Sequence, residues 1–393
     1  MLSADVVVAG AGAAGLLIAS ALSPVCSVIV VEQRDQLPRN KYWLTSGTAA
    51  ATNPHLAHCV DCTYDELDFV AYDGLTATLK GRCSLWDTDK FVDHLADDIQ
   101  RHNGRLLSGC RLYSFMPQSD SIVVRANGET IRARLLIDCM GFGSPIVGAK
   151  GVVRMLGYYH LHGCELRLRR EIRPIALDNV IVNRRPSYLE LFPTSQGTAH
   201  AALILPARDS APDRRLAAEL EFILRKSHYA EYVEGGERLR AYFGIIPVGR
   251  LLHPALDRTV FYGEAGQTNP ATSATALTRL LLTYRELAKA LAGCLAADTL
   301  GRRDLTRALP AAMTAMNRRF QESIFKSVLA FHSDDFRRLV EDLGAYPADA
   351  VHAMIFGNFD FRLRNSLPLA WRALTRRHGL LGPHLLRSAL RWR

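Results

Sequence analysis

Gly10, Gly12 and Gly15 have the spacing of a pyrophosphate-binding turn. They follow the apolar run Val6-Val7-Val8-Ala9 and open a small-residue helix through Ala13 and Ala14. Gly10 permits the tight turn, Gly12 lets backbone amides approach a phosphate, and Gly15 lets helix and strand pack closely. The helix N-terminus then faces the phosphate charge. A second apolar run, Val28-Ile29-Val30-Val31, ends at Glu32, placed as a ribose-binding acid would be, with Gln33 and Arg34 directly after it. Two later segments carry related chemistry. Asp138-Cys139-Met140-Gly141 closes a buried apolar strand, and Gly263-Glu264-Ala265-Gly266 leads through Pro270, Thr272 and Ser273 into a long helix. The N-terminal amides of that helix are placed to face the ring of a dinucleotide. The first glycine motif alone does not separate NAD from FAD. Arg34, the Asp138–Gly141 strand end and the Gly263–Ser273 helix start, taken in order, point to FAD, with NAD(P)H as a candidate electron donor.

Cys59-Val60-Asp61-Cys62, preceded by His55 and His58, has half of a metal-ligand spacing. A single C-x-x-C without a second pair is weak evidence for zinc, and no metal is expected. The eight cysteines form no disulfide framework, which suits a reducing cytoplasm. Cys26, Cys110, Cys139 and Cys164 sit in apolar segments, where cysteine behaves as a small buried residue.

The elements that must position these residues follow from hydrophobic spacing. Phe91, Leu95 and Ile99 mark one face of a helix over Thr88 to His102, which Asn103-Gly104 ends before a short strand from Arg105 to Ser108. Asn127-Gly128 between alternating runs predicts a hairpin. The segment after Arg34, through Pro38 and Trp43, reads as a loop. Antiparallel strands are expected at Gly157 to Leu168, Asn179 to Asn183, Tyr188 to Phe192 and His200 to Leu205, followed by a helix from Arg214 to His228. A strand at Val260-Phe261-Tyr262 returns the chain to the nucleotide domain, a helix follows to about Ala297, and residues 303 to 390 read as mostly helical.

The 393 residues, 48% hydrophobic and 22% charged, are enough for a sizeable core in one or two domains. The net charge of +9 is concentrated at the end: residues 366 to 393 hold six arginines and no acid, leaving 42 basic against 39 acidic residues elsewhere. A diffuse nucleic-acid surface is therefore not expected. The apolar run Val6 to Leu22 contains the glycine fingerprint and lacks a charged leader, so it reads as neither signal peptide nor membrane span. Leu367 to Arg393 combines leucines, Trp371 and Trp392 with arginines. A solvated helical hairpin is the favoured reading for it; the alternative is peripheral contact with an anionic membrane.

The order of these motifs resembles the lycopene cyclases, within the broader class of flavoprotein monooxygenases and geranylgeranyl reductases. Trp86-Asp87-Thr88-Asp89-Lys90-Phe91 with its following helix, Asp138-Cys139-Met140-Gly141-Phe142, the strand Tyr158 to Glu165, Ile246-Pro247-Val248-Gly249, and Gly263 to Ser273 are each similar to segments of that family. So is the helical region from Asn317 through Phe361. The resemblance implies an α/β fold: a Rossmann-like, glutathione-reductase-type FAD domain with an inserted antiparallel β substrate sheet and a helical C-terminal region. The corresponding ranges are 1–150 and 246–300 for the FAD domain, 151–245 for the substrate domain and 301–393 for the helical region. It also implies an apolar polyene-like substrate.

Lycopene cyclases carry catalytic carboxylates in a Phe-Leu-Glu-Glu-Thr motif. Its expected place here reads His200-Ala201-Ala202-Leu203-Ile204, without either glutamate. Glu165, Glu190 and His200 are the candidates to fill the gap. Glu190 alternates with Leu189 and Leu191 and so faces away from both, toward a cavity or toward solvent. Glu165 would share a face with Arg167 and Arg169. Without the acid pair, flavin-mediated monooxygenation of a polyene, polyketide or isoprenoid-like molecule is the leading expectation, since it needs no protein nucleophile. The alternatives are a non-redox cyclase or isomerase and a flavin-bearing lipid-binding protein.

Overall fold

The structure, a computed structural model, describes residues 1–39, 41–180, 187–271, 273–310 and 318–357. β1 (Leu2–Ala9), α1 (Ala13–Leu22) and β2 (Val28–Val31) form the glycine-turn unit, with β2 parallel to β1 and Ala9 opposite Val31. Val6 to Ala9 and all of β2 are buried, which accounts for their unbroken apolar sequence.

The chain then leaves this sheet. β3 (Trp43–Ser46), α2 (Gly47–Ala51), β4 (Val60–Val70) and β5 (Thr76–Trp86) follow, and their strands join a second sheet. Trp43 is therefore a strand residue and not part of a loop. The signal for a hairpin was in the sequence: Asp73-Gly74 separates two alternating runs, and Gly74 takes a φ of +85° at the turn.

α3 (Thr88–Arg101) is capped by Asp87, whose side chain accepts from the Asp89 and Lys90 amides, and it buries Phe91, Leu95 and Ile99 as their spacing predicts. β6 (Arg105–Leu107) extends the first sheet beside β2. β7 (Leu112–Pro117), β8 (Ile122–Ala126) and β9 (Glu129–Asp138) form a meander, the last hairpin turning at Asn127-Gly128, both with positive φ. β9 then runs parallel to β1, bringing Asp138 opposite Ala9.

After α4 (Pro145–Ala149) come β10 (Val153–Leu168), β11 (Ile175–Asp178), β12 (Tyr188–Pro193), β13 (Thr198–Ala207), α5 (Leu216–Lys226) and β14 (Val233–Leu251). The strand expected at Asn179 to Asn183 lies earlier, as β11, and residues 181–186 fall outside the described residues. The second sheet has the order β14-β10-β13-β12-β11-β4-β5-β3. Its pairs are antiparallel except β11 with β4, a parallel seam where the early and late blocks of chain meet. The sheet is therefore mixed, not wholly antiparallel, and is built from more than a single insertion.

β15 (Ala255–Leu256) and β16 (Thr259–Phe261) return to the first sheet, giving the order β15-β16-β9-β1-β2-β6. α6 (Ala276–Ala296) and α7 (Arg302–Ala308) follow, α6 packing on α1 in the core around Leu16, Leu17 and Leu287. One face of the second sheet packs on α5 through Leu189, Leu191, Leu203 and Leu220. The opposite face meets three helices, Arg318–Val328, Ser333–Ala345 and Ala348–Ile355. The basic segment Leu367 to Arg393 lies outside the described residues. No helix among the described residues is long and apolar enough to cross a membrane.

Candidate active site

The first sheet has a topological switch point at β1, whose parallel neighbours β2 and β9 lie on opposite sides of it; ligands of such sheets bind in the crevice beyond the strand ends. The predicted glycines converge there. Gly10 has a φ of +98°, and a Cβ on it would lie 2.6 Å from the Cys139 carbonyl oxygen. A Cβ on Gly15 would lie 1.9 Å from the Gly10 carbonyl oxygen, whereas one on Gly12 would meet none of the described residues within 4 Å. Two glycines thus close the turn and the third leaves an open cradle above the first turn of α1, where Ala13 and Ala14 lie. Glu32 is buried and accepts from the Ala11 amide at 2.9 Å and the Arg34 amide at 3.0 Å, so the acid and the loop hold each other in place beside Gln33. Its remaining lone pairs suit a ribose.

Asp138 lies at the floor of the crevice. Burial pushes its carboxyl up to about 6, opposed by hydrogen bonds from Ser144 and the Met140 amide. Those bonds hold the turn that presents Gly141, so the Asp138 carboxylate serves the loop. A Cβ on Gly141 would lie 3.0 Å from Glu264 Oε2, and one on Gly263 would lie 2.6 Å from the Ala14 Cβ. The turn carrying Gly263, Glu264, buried Ala265 and Gly266 is thereby packed against the glycine turn. Pro270 and Ser273 continue this segment; the Ser273 hydroxyl donates to the Ile355 carbonyl and ties it to the C-terminal helices. Thr272 lies outside the described residues.

Sequence reasoning passed over Asn269 in this same segment. Its side chain is buried, lines a cavity, and has no hydrogen-bond partner among the described residues at either the amide nitrogen or the oxygen. An amide left unpaired in this way costs about 1–3 kcal/mol per group, and a ligand with a donor and an acceptor side by side recovers it. The edge of a flavin ring has that pattern. With the open cradle at Gly12 and the anchored Glu32, the residues fit FAD.

The cavity that Asn269 borders has a volume of about 260 Å³ and lies between the second sheet and the C-terminal helices. Strand register sets what faces it. Tyr242, Gly163, Ala202 and Glu190 are successive cross-strand partners on β14, β10, β13 and β12. Arg240, Glu165, His200 and Phe192 form the adjacent row. Of the residues that replace the glutamate pair, Ala202 shares the face of Glu190, while Leu203 points into the α5 side. Leu189 and Leu191 are fully buried on that α5 side, so Glu190 is turned to the cavity.

Tyr42, just before β3, lies over this trough. Its hydroxyl donates to Glu190 Oε2 at 2.6 Å, and its ring stacks on His200 with centroids 5.3 Å apart. The rings of Phe192 and Tyr242 lie 5.8 Å from it. Burial pushes the Glu190 carboxyl up to about 7, against the lowering effect of the Tyr42 hydrogen bond. Burial also lowers His200, which nearby Glu165 and Asp61 oppose. His200 Nδ1 is 2.6 Å from the Tyr242 hydroxyl. Glu165 accepts from Thr198 Oγ1 at 2.9 Å and sits 3.8 Å from Arg240, which also reaches Asp89. The structure thus brings Glu190 and His200 together around Tyr42 and engages Glu165 in a neighbouring ion-pair network. Tyr42 and Tyr242 were not foreseen from the sequence.

The Cys59 and Cys62 thiols diverge. Cys59 Sγ lies 3.4 Å from His58 Nε2, Cys62 Sγ bonds the Pro193 carbonyl, and burial pushes both thiols up to about 11. Among the described residues no three or more His, Cys, Asp or Glu side chains are grouped to hold a metal.

The family model described as lycopene cyclase protein matches residues 5–343. No curated protein matches the chain by sequence. Among solved structures, the chain is similar to a geranylgeranyl bacteriochlorophyll reductase-like protein from Thermoplasma acidophilum, at 12% identity and a TM-score of 0.71, over 90% of this chain and 96% of that one. It is similar to the halogenase PltM in complex with phloroglucinol and FAD, at 12% identity and a TM-score of 0.68, over 98% and 94% of the two chains. It is also similar to the OxyS anhydrotetracycline hydroxylase from Streptomyces rimosus, at 14% identity and a TM-score of 0.65, over 90% and 76%. At these identities the likeness is one of fold: the Rossmann-type fold of FAD-binding flavoproteins.

Proposed function

The chain belongs to the lycopene cyclase family, and from that premise we propose an FAD-binding enzyme that rearranges an apolar, isoprenoid-like polyene by protonating one of its double bonds. The observation that carries this reading is Glu190. Its carboxyl faces an apolar cavity, burial raises it to about 7, and it therefore holds a proton under mildly acidic to neutral conditions. A carboxylic acid kept neutral by desolvation is a suitable general acid. The rings of Tyr42, Tyr188, Phe192 and Tyr242 line the same cavity, and aromatic faces stabilise the positive charge that protonation creates. The missing glutamate pair by itself favours oxygenation. Glu190, directly across from Ala202, supplies a carboxyl to the same face by way of the neighbouring strand.

Gly10, Gly12, Gly15, Glu32 and Asn269 would hold FAD. When bound, the flavin supplies an electron-rich or redox-active wall to the cavity. The second reading is monooxygenation with NAD(P)H as electron donor. What favours it is that the cavity extends to Glu264, Asn269 and Ser273, so a substrate there abuts the flavin segment.

Lycopene in detergent micelles is the probe for the FAD-loaded protein. It is offered anaerobically with dithionite, and separately with NADPH under labelled oxygen. An isomeric product of unchanged mass supports protonation; a product heavier by one labelled oxygen supports the second reading. Glu190→Gln is expected to lower isomer formation by a factor of about 10² or more with the flavin absorption spectrum unchanged. An unimpaired variant would rule out acid catalysis by Glu190. Retained lycopene binding without conversion in either arm would leave a flavin-bearing binding protein.

A further inference from the structure

Resting on the protonation reading above, we infer that Tyr242 and His200 form the base that ends the rearrangement, across the Tyr42 ring from Glu190. The register places Tyr242 on β14 and Glu190 on β12 in one cross-strand row, three strand spacings or roughly 14 Å apart at the backbone. The two positions between them in the row, Gly163 and Ala202, are small. A Cβ on Gly163 would lie 2.7 Å from Tyr242 Cδ2, so the absence of a side chain there lets the Tyr242 ring lie across β10. That placement carries the Tyr242 hydroxyl to His200 Nδ1, at 2.6 Å, on β13. Tyr242 lines the cavity and touches substrate; His200 acts through it. The groups facing His200 from the surrounding elements are Glu165 on β10, Arg240 on β14, Asp61 on β4 and the Tyr42 ring.

The chemistry balances without a further reactant. The Glu190 O–H proton adds to one carbon of a double bond, using its π pair, and leaves a cation on the other carbon. After rearrangement, a C–H bond next to the cation breaks and its electron pair becomes the new double bond. Its proton goes to the Tyr242 oxygen as the Tyr242 hydroxyl proton passes to His200 Nδ1. Product is an isomer of substrate, and the protein is left as Glu190 carboxylate and His200 imidazolium. Solvent restores both when product leaves. Acid and base are then different groups in different surroundings, as acid–base pairs on one site commonly are.

The test uses the FAD-loaded protein, lycopene micelles as probe, and the variants Tyr242→Phe and His200→Asn. Asparagine keeps an acceptor near the position of Nδ1 and cannot take up a proton, so it preserves a structural hydrogen bond and removes a base. Both variants should lose at least tenfold in kcat with KM within twofold. Both should lose the acidic limb of the pH–rate profile, and both should divert product toward a water-captured alcohol. His200→Asn with wild-type kcat and pH profile overturns the inference. If wild-type protein converts no lycopene, the protonation reading has failed for that substrate, and nitrogen-15 NMR of His200 decides the pair separately. An unprotonated Nδ1 whose signal shifts in Tyr242→Phe supports a histidine able to accept the tyrosine proton; a protonated Nδ1 overturns it.

Discussion

A carboxyl group on a half-buried strand faces either an apolar interior or water, and strand register decides which. Glu190 has leucines on both sides in sequence, and because those leucines fill the α5 side, the acid faces the cavity. That placement has a measurable cost in stability. The Glu190 carboxyl rises from 4.5 to about 7, so the folded protein keeps a proton that the unfolded chain gives up across that interval. The folded state therefore binds more protons than the unfolded state between these values, and stability falls as pH rises through the window. Glu190→Gln removes the dependence. Urea denaturation at pH 5 and pH 8 should show the variant gaining on wild type by up to about 3 kcal/mol at the higher pH. Parallel stability curves would mean that Glu190 ionises normally in the folded protein.

At the scale of elements, legibility followed the range of the constraint. The β1–α1 turn was readable because its demand is local: Gly10 needs positive φ and Gly15 needs the space beside the Gly10 carbonyl. Gly15→Ala should displace α1 from β1, cost on the order of 1–3 kcal/mol, and weaken FAD retention on gel filtration. An alanine variant that keeps its flavin would show that the turn tolerates the added methyl. The Asn127-Gly128 hairpin and the buried face of α3 were readable for the same reason. The β4–β5 hairpin carried its Asp73-Gly74 signal, yet the short polar stretches around it obscured the alternation. Tyr42 could not be found this way, because its role depends on Glu190, 148 positions later in the chain. Alternation showed that Glu190 opposed its neighbours; only the packing of α5 showed which side was which. Asn269 emerged from its unpaired amide, a property that exists only after folding.

For the whole molecule, the cavity is a joint product of the second sheet, the segment that follows β16 and the C-terminal helices. Phe336 is buried in the helix Ser333–Ala345, packs edge-on against Phe331 at 5.3 Å, and forms part of the cavity wall. Phe336→Ala should cost about 3–5 kcal/mol in denaturant unfolding while leaving the distant glycine crevice able to bind FAD. Loss of flavin binding together with stability would instead show that wall and crevice fold as one inseparable unit.

The path of the chain adds a constraint on its manufacture. It visits the first sheet, then the second, then each again, and closes the first with β15 and β16. β1 pairs early with β2 and β4 with β5, but Leu2 waits for Ile131 and Asp68 for Ile175 before the other edge of each strand is covered. A nascent chain leaving the ribosome therefore carries open strand edges through most of its synthesis, the state in which edge-to-edge association competes with folding. The cavity wall comes later still, with residues 318–355. A ribosome-bound intermediate has the glycine turn long before it has an enclosed apolar cavity.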